Sequence, residues 1–364
     1  MPKKIFIAAT RQNDGKTTFS LGLMAMLKER FNNIGFIKPI GQRYLVEQGY
    51  NIDEDSYLID EIFGIKSSLK DMSPIAIEKG FTQRYIENPD RAPLEKQIKD
   101  SFQKISEGND LVVIEGTGHA GVGSVFDMSN AVVAKMLGSK VVIISSGGIG
   151  RPIDEVMLSV PLFQKVGVEI AGVVVNKVQA AKYKKINSLV RRGFKQHGLE
   201  VLGVIPYVGM LDMPTMEHIQ DKLKGKFISG SDSNVLKIIN NIVISTGKPR
   251  VVFRQMRERN LIITSGDREE LITYLLKLVT RKKEYSDLIT GFVITCGFMP
   301  NRKIRKMLEK SGIPTLIVED DTYAVITKLD EMIVKIHPGE EEKINMIAHL
   351  VRNHIDLEPL LAKL

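Results

Sequence analysis

Short, nearly unbroken apolar runs alternate with longer amphipathic stretches through residues 1–210. The runs KKIFIAA, NIGFIKPI, DLVVIEG, KVVIISS, IAGVVVNK and EVLGVIPY each end in Gly, Pro or a polar residue. Strands buried on both faces take this form, because neither face accepts polar side chains. Between them lie TTFSLGLMAMLKERF, residues 91–107, SNAVVAKMLG, IDEVMLSVPLFQKVG and KYKKINSLVRRGFKQHG, whose apolar residues recur every three or four positions, the helical period. Strand and helix in alternation predict an α/β fold: a mostly parallel sheet with flanking helices.

After VIPYVGMLDMPTM the pattern breaks. HIQDKLKGKFISGSDSN is polar, with Gly225, Gly230 and several serines, and reads as an inter-domain connection over 216–232. Alternation resumes with VLKIINNIVIST, RVVFRQM, NLIITSG, REELITYLLKLVTR, LITGFVITCG, NRKIRKMLEKSG, TLIVEDD and TYAVITKLDEMI, a smaller α/β unit over 233–335. Residues 336–364 read as one or two closing helices. The first domain is expected over 1–215.

Composition excludes several classes. The chain has 364 residues, 43% of them hydrophobic and 26% charged, enough for two soluble domains each with its own core. No apolar run is long enough to span a bilayer, and MPKKIFIAAT reads as a first strand, not a signal peptide. Cys296 is the single cysteine, so neither an internal disulfide nor a multi-cysteine metal site is available. A reducing, cytoplasmic setting is expected. The net charge of +8 suits an anion-handling protein. Lys182, Lys184, Lys185, Arg191, Arg192 and Lys195 fall on one predicted helix without aromatic interleaving, so nucleic-acid recognition is not expected.

Candidate chemistry begins with TRQNDGKT at residues 10–17, between the first strand and the first helix. The phosphate-loop pattern GxxxxGK[ST] places Gly15, Lys16 and Thr17 at the strand-to-helix turn, with Thr10 where the first glycine belongs. Gly15 lets the backbone approach phosphate oxygens. The loop and first helical turn (Thr10, Arg11, Asn13, Asp14, Gly15, Lys16, Thr17 and Thr18) aim N–H groups at an anion. Lys16 supplies a charge to the β- and γ-phosphates, and Thr17 a hydroxyl to Mg²⁺.

Ligands of parallel sheets collect at the carboxyl ends of strands. Lys38 closes IGFIK there, although a snorkelling surface lysine is the alternative. Glu115, after VVI, suits magnesium coordination or water positioning; a capping or loop acid is its alternative. Asn176 ends AGVVVN and Pro206 ends LGVIP. The amide matches an adenine edge, or is simply a turn residue.

Together these motifs resemble dethiobiotin synthetase and its relatives, including the N-terminal domain of long bacterial phosphotransacetylases. TRQNDGKTT, Lys38–Ile40, Glu115–Gly118, VVVNK and LGVIP carry the likeness, in order and spacing. It implies a P-loop NTPase-type domain with ATP in the loop, Mg²⁺ near Thr17 and Glu115, Lys38 near the terminal phosphate and Asn176 at the base. It implies further that an acid of NIDEDSY, Asp55 with Asp53 and Glu54 alongside, ligates the metal, and that the protein is a homodimer. Residues 230–335 look like a DRTGG domain at ITSGDREE (Asp267, Arg268), ITCG (Thr295 to Gly297) and DDTYAVITKL, with Cys296 replacing a glycine of that pattern.

Departures narrow the expectation. The acetyl-transferring domain of a phosphotransacetylase does not follow in this sequence, so acetyl transfer is not expected. A glutaminase setting is lacking around Cys296. EGTGHAG and GGIGRPIDE, with Arg151, Pro152 and Asp154, replace the segments that shape the diamine site of dethiobiotin synthetase, so another small-molecule ligand is expected. Arg11 stands where dimeric ATPases with a deviant P-loop carry a lysine that reaches the partner's nucleotide; an exposed loop arginine is the alternative. Three readings remain: a regulatory or metabolic ATP-binding protein with slow ATPase activity, using the DRTGG domain for sensing or dimerisation; an ATP-dependent ligase acting on an unknown amine or acid; and a non-catalytic nucleotide-binding module. Lys16, Lys38 and Glu115 are the expected catalytic residues.

Overall fold

Six strands build the first sheet of the computed structural model, which describes residues 2–230, 232–281 and 283–364. Ser231, inside the expected connection, lies outside these. Across the sheet the strands run Val201–Pro206, Ile170–Val178, Lys140–Ser146, Lys3–Ala9, Leu111–His119 and Ile34–Ile37. Every neighbouring pair is parallel. Residues 5–9, 111–114 and 141–144 are fully buried, because helices Lys16–Leu27, Ala92–Ser106, Asn130–Leu137, Gly150–Lys165 and Tyr183–Gln196 pack against the strands. The next two strands on either side of Lys3–Ala9 lead away in opposite directions, so its carboxyl end is the switch point where a ligand crevice forms. Helix Lys16–Leu27 starts there.

That helix is apolar nearly all round, and the reason lies far along the chain. Helix Glu341–His354 packs on it, and Val351 fills the space that a side chain at Gly22 would need. Helix Leu357–Lys363 then packs on strands Ile170–Val178 and Val201–Pro206. The chain therefore divides into one unit formed by residues up to Tyr207 together with Glu341–Leu364, and a second formed by Val208–Glu340.

The second unit has a five-stranded sheet in the order Lys226–Ser229, Thr315–Ile317, Ile289–Thr295, Asn260–Ser265 and Asn241–Ile244. Only its first pair is antiparallel. Alternate residues feed two cores: Ile262, Phe292 and Ile294 on one face, Leu261, Ile263 and Val293 on the other. Residues 216–232, expected as a connection, hold helix Met216–Leu223 and strand Lys226–Ser229. Thr215 and His218 form a capping box that starts the helix, and a Cβ at Gly225 would lie 2.6 Å from the Ile317 carbonyl oxygen. The glycine thus permits close strand approach.

The DRTGG-like motif residues are structural here. The Arg268 guanidinium donates to the carbonyls of Ser245 and Gly247, joining two strand ends, while Asp267 is exposed. Cys296 adopts the left-handed conformation at φ 63°. The turn that a glycine would serve is retained at the expense of local strain, held by Cys296 N–H donating to Asp320 O at 2.8 Å. Among the described residues, no helix is long and apolar enough to cross a membrane.

Candidate functional site

Gly15 caps helix Lys16–Leu27 from the left-handed region, at φ 94°, and a Cβ there would collide with the Asn176 side-chain amide. The loop before it is braced by Asp14, which is buried. Its carboxylate accepts from Arg11 N–H at 2.7 Å and from the Ser146 hydroxyl. Thr10, in the place of the first glycine, turns its side chain back into the protein: its hydroxyl lies 2.7 Å from Asp14 Oδ2 and 3.0 Å from both Ser145 Oγ and Glu155 Oε2. A side chain is tolerated because it points away from the loop's interior. Asn13 is exposed, at φ 68°, and Thr18 is half-buried.

Lys16 is buried and donates to the Gly118 carbonyl at 2.9 Å. Asn130 holds that segment by donating to the Thr117 and His119 carbonyls and accepting from Thr117 N–H. Burial lowers the Lys16 pKa, against the pull of Glu115. Thr17 donates to Glu115 Oε1 at 3.1 Å, and Ser20, one turn on, donates to Oε2. Glu115 is fully buried. Burial, with the Asp55 charge behind it, pushes its carboxyl up to about 7 against the pull of Lys38, Ser20 and Lys16.

Segment 40–76, largely silent in the hydrophobic pattern, delivers the remaining acids. Hairpin Tyr44–Glu47 with Tyr50–Asp53 leads into helix Glu54–Phe63, whose N-cap Asp53 accepts from Asp55 N–H at 3.0 Å. Lys38 Nζ lies 3.0 Å from Asp53 Oδ1, in contact with Asp55 Oδ2, and 3.7 Å from Glu115 Oε1. It is a buried lysine, not a snorkelling one. Burial opposes its charge, but Asp55, Asp53 and Glu115 outweigh burial and hold its pKa above the ordinary lysine value. Burial raises the Asp53 pKa in turn, partly offset by Lys38.

Among the described residues, no group of three or more Asp, Glu, His or Cys is arranged as a ready metal cage. The Lys38 ammonium stands among the acids as the local cation. The donors themselves (two carboxylates, Asp55 and Glu115, with the Thr17 hydroxyl) are the hard oxygen set that suits Mg²⁺.

Asn176 occupies the end of strand Ile170–Val178, beside the loop. Its Nδ2 donates to Asp14 O at 2.9 Å and its Oδ1 accepts from Lys177 N–H at 2.9 Å, so the side chain braces the loop backbone. Pro206 ends its strand, and Tyr207 N–H donates to Val178 O at 2.7 Å. Arg11 and Arg151 are exposed and both reach Glu155 Oε1, at 2.6 and 2.7 Å. Pro152 is buried and Asp154 exposed. Ser20, Asn130, Ser146 and Glu155 escaped the sequence reading. Ser20 left a local signal, one helical turn after Lys16, and Glu155 stands four residues after Arg151 on the same helix.

Residues 3–215 match the AAA domain family model and residues 218–332 the DRTGG domain model. The chain belongs to this AAA-domain family: a dethiobiotin synthetase-like P-loop domain followed by a DRTGG domain. It is 27% identical to a phosphate acetyltransferase of Nitratidesulfovibrio vulgaris, over 100% of this chain and 52% of the relative. It is also 25% identical to an ATP-dependent dethiobiotin synthetase of Methanococcus vannielii, over 55% of this chain and 92% of the relative. The chain spans about half the length of the phosphate acetyltransferases it matches. Among solved structures, the MinD cell division protein of Aquifex aeolicus overlaps 57% of this chain and 84% of its own, at 14% identity and a TM-score of 0.36.

Proposed function

We propose that this protein binds Mg-ATP in the loop around Gly15 and hydrolyses it slowly, in a regulatory or metabolic role linked to the DRTGG domain. One observation carries the reading. Buried Lys16, Lys38, Asp55 and Glu115, with half-buried Thr17 beside them, converge at the switch point of a parallel sheet. Charged groups are seldom taken out of water in such number without a ligand to receive them.

In this reading the loop amides and Lys16 receive the β- and γ-phosphates, Lys16 leaving the Gly118 carbonyl. Thr17, Glu115 and Asp55 hold Mg²⁺, which when bound neutralises phosphate charge. Lys38 exchanges its carboxylates for the terminal phosphate. An amide has two N–H groups and two acceptor lone pairs, so Asn176, with one of each engaged, retains one of each for the adenine edge near Pro206. Titration calorimetry with Mg-ATP, on the wild type and on Lys16→Ala, tests the reading; a wild type that releases no heat while fully folded sinks it.

A second reading, an ATP-dependent ligase for a small amine or acid, draws on the likeness to dethiobiotin synthetase and on the exposed arginines at the mouth of the site. It requires that a metabolite raise phosphate release above the basal rate. A homodimer in the cytoplasm completes the proposal, and light scattering with and without nucleotide measures the assembly.

A further inference from the structure

Glu155 lies on helix Gly150–Lys165, yet its carboxylate belongs to the phosphate loop. Only 11% of its side chain is exposed, against 57% for Arg11 and 54% for Arg151. Oε1 takes both guanidinium groups, and Oε2 faces the Thr10 hydroxyl at 3.0 Å. The arginines and Thr10 hold the Glu155 carboxyl below its usual range, although burial alone would raise it. A second carboxylate, Asp14, lies 2.7 Å from the same Thr10 oxygen. A hydroxyl has one proton, so the two acids compete for it.

We propose that Glu155 is a positioning residue of the phosphate loop, holding Arg11 by a charged hydrogen bond and restraining it from the anion site; this rests on the nucleotide reading above. An anionic carboxylate beside a loop built for a triphosphate also opposes that triphosphate. It is tolerated because the two guanidinium groups neutralise it. Arg11 and Glu155 therefore act on nucleotide affinity as one unit.

The test is a double-mutant cycle on Mg-ATP and Mg-ADP affinity at low salt, using Glu155→Gln, Arg11→Gln and the pair. Glutamine keeps an acceptor for Thr10 and removes the charge. Glu155→Gln tightens Mg-ATP binding by about tenfold, the scale of one charged hydrogen bond, and tightens Mg-ADP less. Arg11→Gln then weakens binding far more in the Glu155→Gln background than in the wild type, because only there is Arg11 free to meet the phosphates.

If Glu155 merely supports the fold, Glu155→Gln lowers the melting temperature and weakens binding equally in both backgrounds, and the inference falls. It falls also if the two effects multiply independently, or if Glu155→Gln binds as the wild type does. Glu155→Asp, which keeps the charge, stays closer to the wild type than Glu155→Gln does. A wild type that does not bind Mg-ATP overturns the nucleotide reading itself, a result distinct from all of these.

Discussion

Lys38 Nζ stands 3.7 Å from Glu115 Oε1 in a pocket where both side chains are buried, with Asp53 and Asp55 closing the other side of the ammonium. One cation thus serves three carboxylates. A magnesium ion carries two charges and asks for oxygen donors, so the same acids suit either occupant. Under the proposed reading, the ammonium and the metal would exchange at these acids.

Removing the resident cation exposes that balance. Lys38→Met leaves the acids facing one another, and a buried ion pair broken on one side loses roughly 3–5 kcal/mol. The melting temperature of the first unit falls, and millimolar Mg²⁺ recovers part of the loss. Thermal melts with and without Mg²⁺ decide the matter; equal melting in both would remove the metal role from Asp55 and Glu115.

Lys16 behaves differently. Burial disfavours its charge, and among the described residues its ammonium donates to the Gly118 carbonyl. Lys16→Ala is expected to leave the melting temperature near that of the wild type while weakening Mg-ATP binding by about 10- to 100-fold, the value of a charged hydrogen bond. Fluorescent-nucleotide titration measures the second effect, and circular dichroism melts the first.

Gly22 tests the packing behind the loop. Its missing side chain is replaced by Val351. Gly22→Ala forces the two helices apart, at a loss of about 1–3 kcal/mol from overpacking, and Gly22→Ala with Val351→Ala recovers most of it. Urea unfolding of the single and double variants reads the coupling; additive losses would mean the helices do not meet there.

His337 is expected to make the stability of the second unit depend on pH. Its Nδ1 lies 2.8 Å from Glu217 Oε2, and its ring centroid is 4.2 Å from that of His218. Burial opposes its charge, but Glu217, Glu340 and Asp221 raise its pKa above the ordinary value. His218 Nδ1 accepts from Thr215 N–H and Nε2 donates to the Lys335 carbonyl, which assigns the neutral ring. Because the folded pKa of His337 is raised, its stabilisation is complete below the unfolded value of about 6.5 and is lost as pH climbs through the folded one. The gap in melting temperature between wild type and His337→Gln is therefore wide at acid pH and closes at alkaline pH. A gap that widens instead would reverse the assignment.

The sequence disclosed what is local. TRQNDGKT, Lys38 and Glu115 could be placed because each ends or follows an apolar strand, and a strand end in a parallel sheet is a ligand edge. Asp53 ends a short hairpin and Asp55 opens the helix after it, where surface acids look the same. Glu155 offered only its i, i+4 spacing to Arg151: its partners Thr10 and Arg11 lie far away in sequence, brought together only by folding. Gly225 and Gly230 read as loop glycines, yet both mark close contact, with Ile317 and with Pro314. A glycine reports a missing side chain and not the reason for it.

The return of helix Glu341–His354 to helix Lys16–Leu27 also sets an order of events during synthesis. Arg352 and Glu29 form an ion pair across 323 residues of chain. The nucleotide loop leaves the ribosome early, but the helix behind it stays uncovered until translation of Glu341–His354 is complete. Nascent chains stalled before that point leave the Gly22 face of this apolar helix bare, and chaperones that recognise apolar helices are expected to find it there.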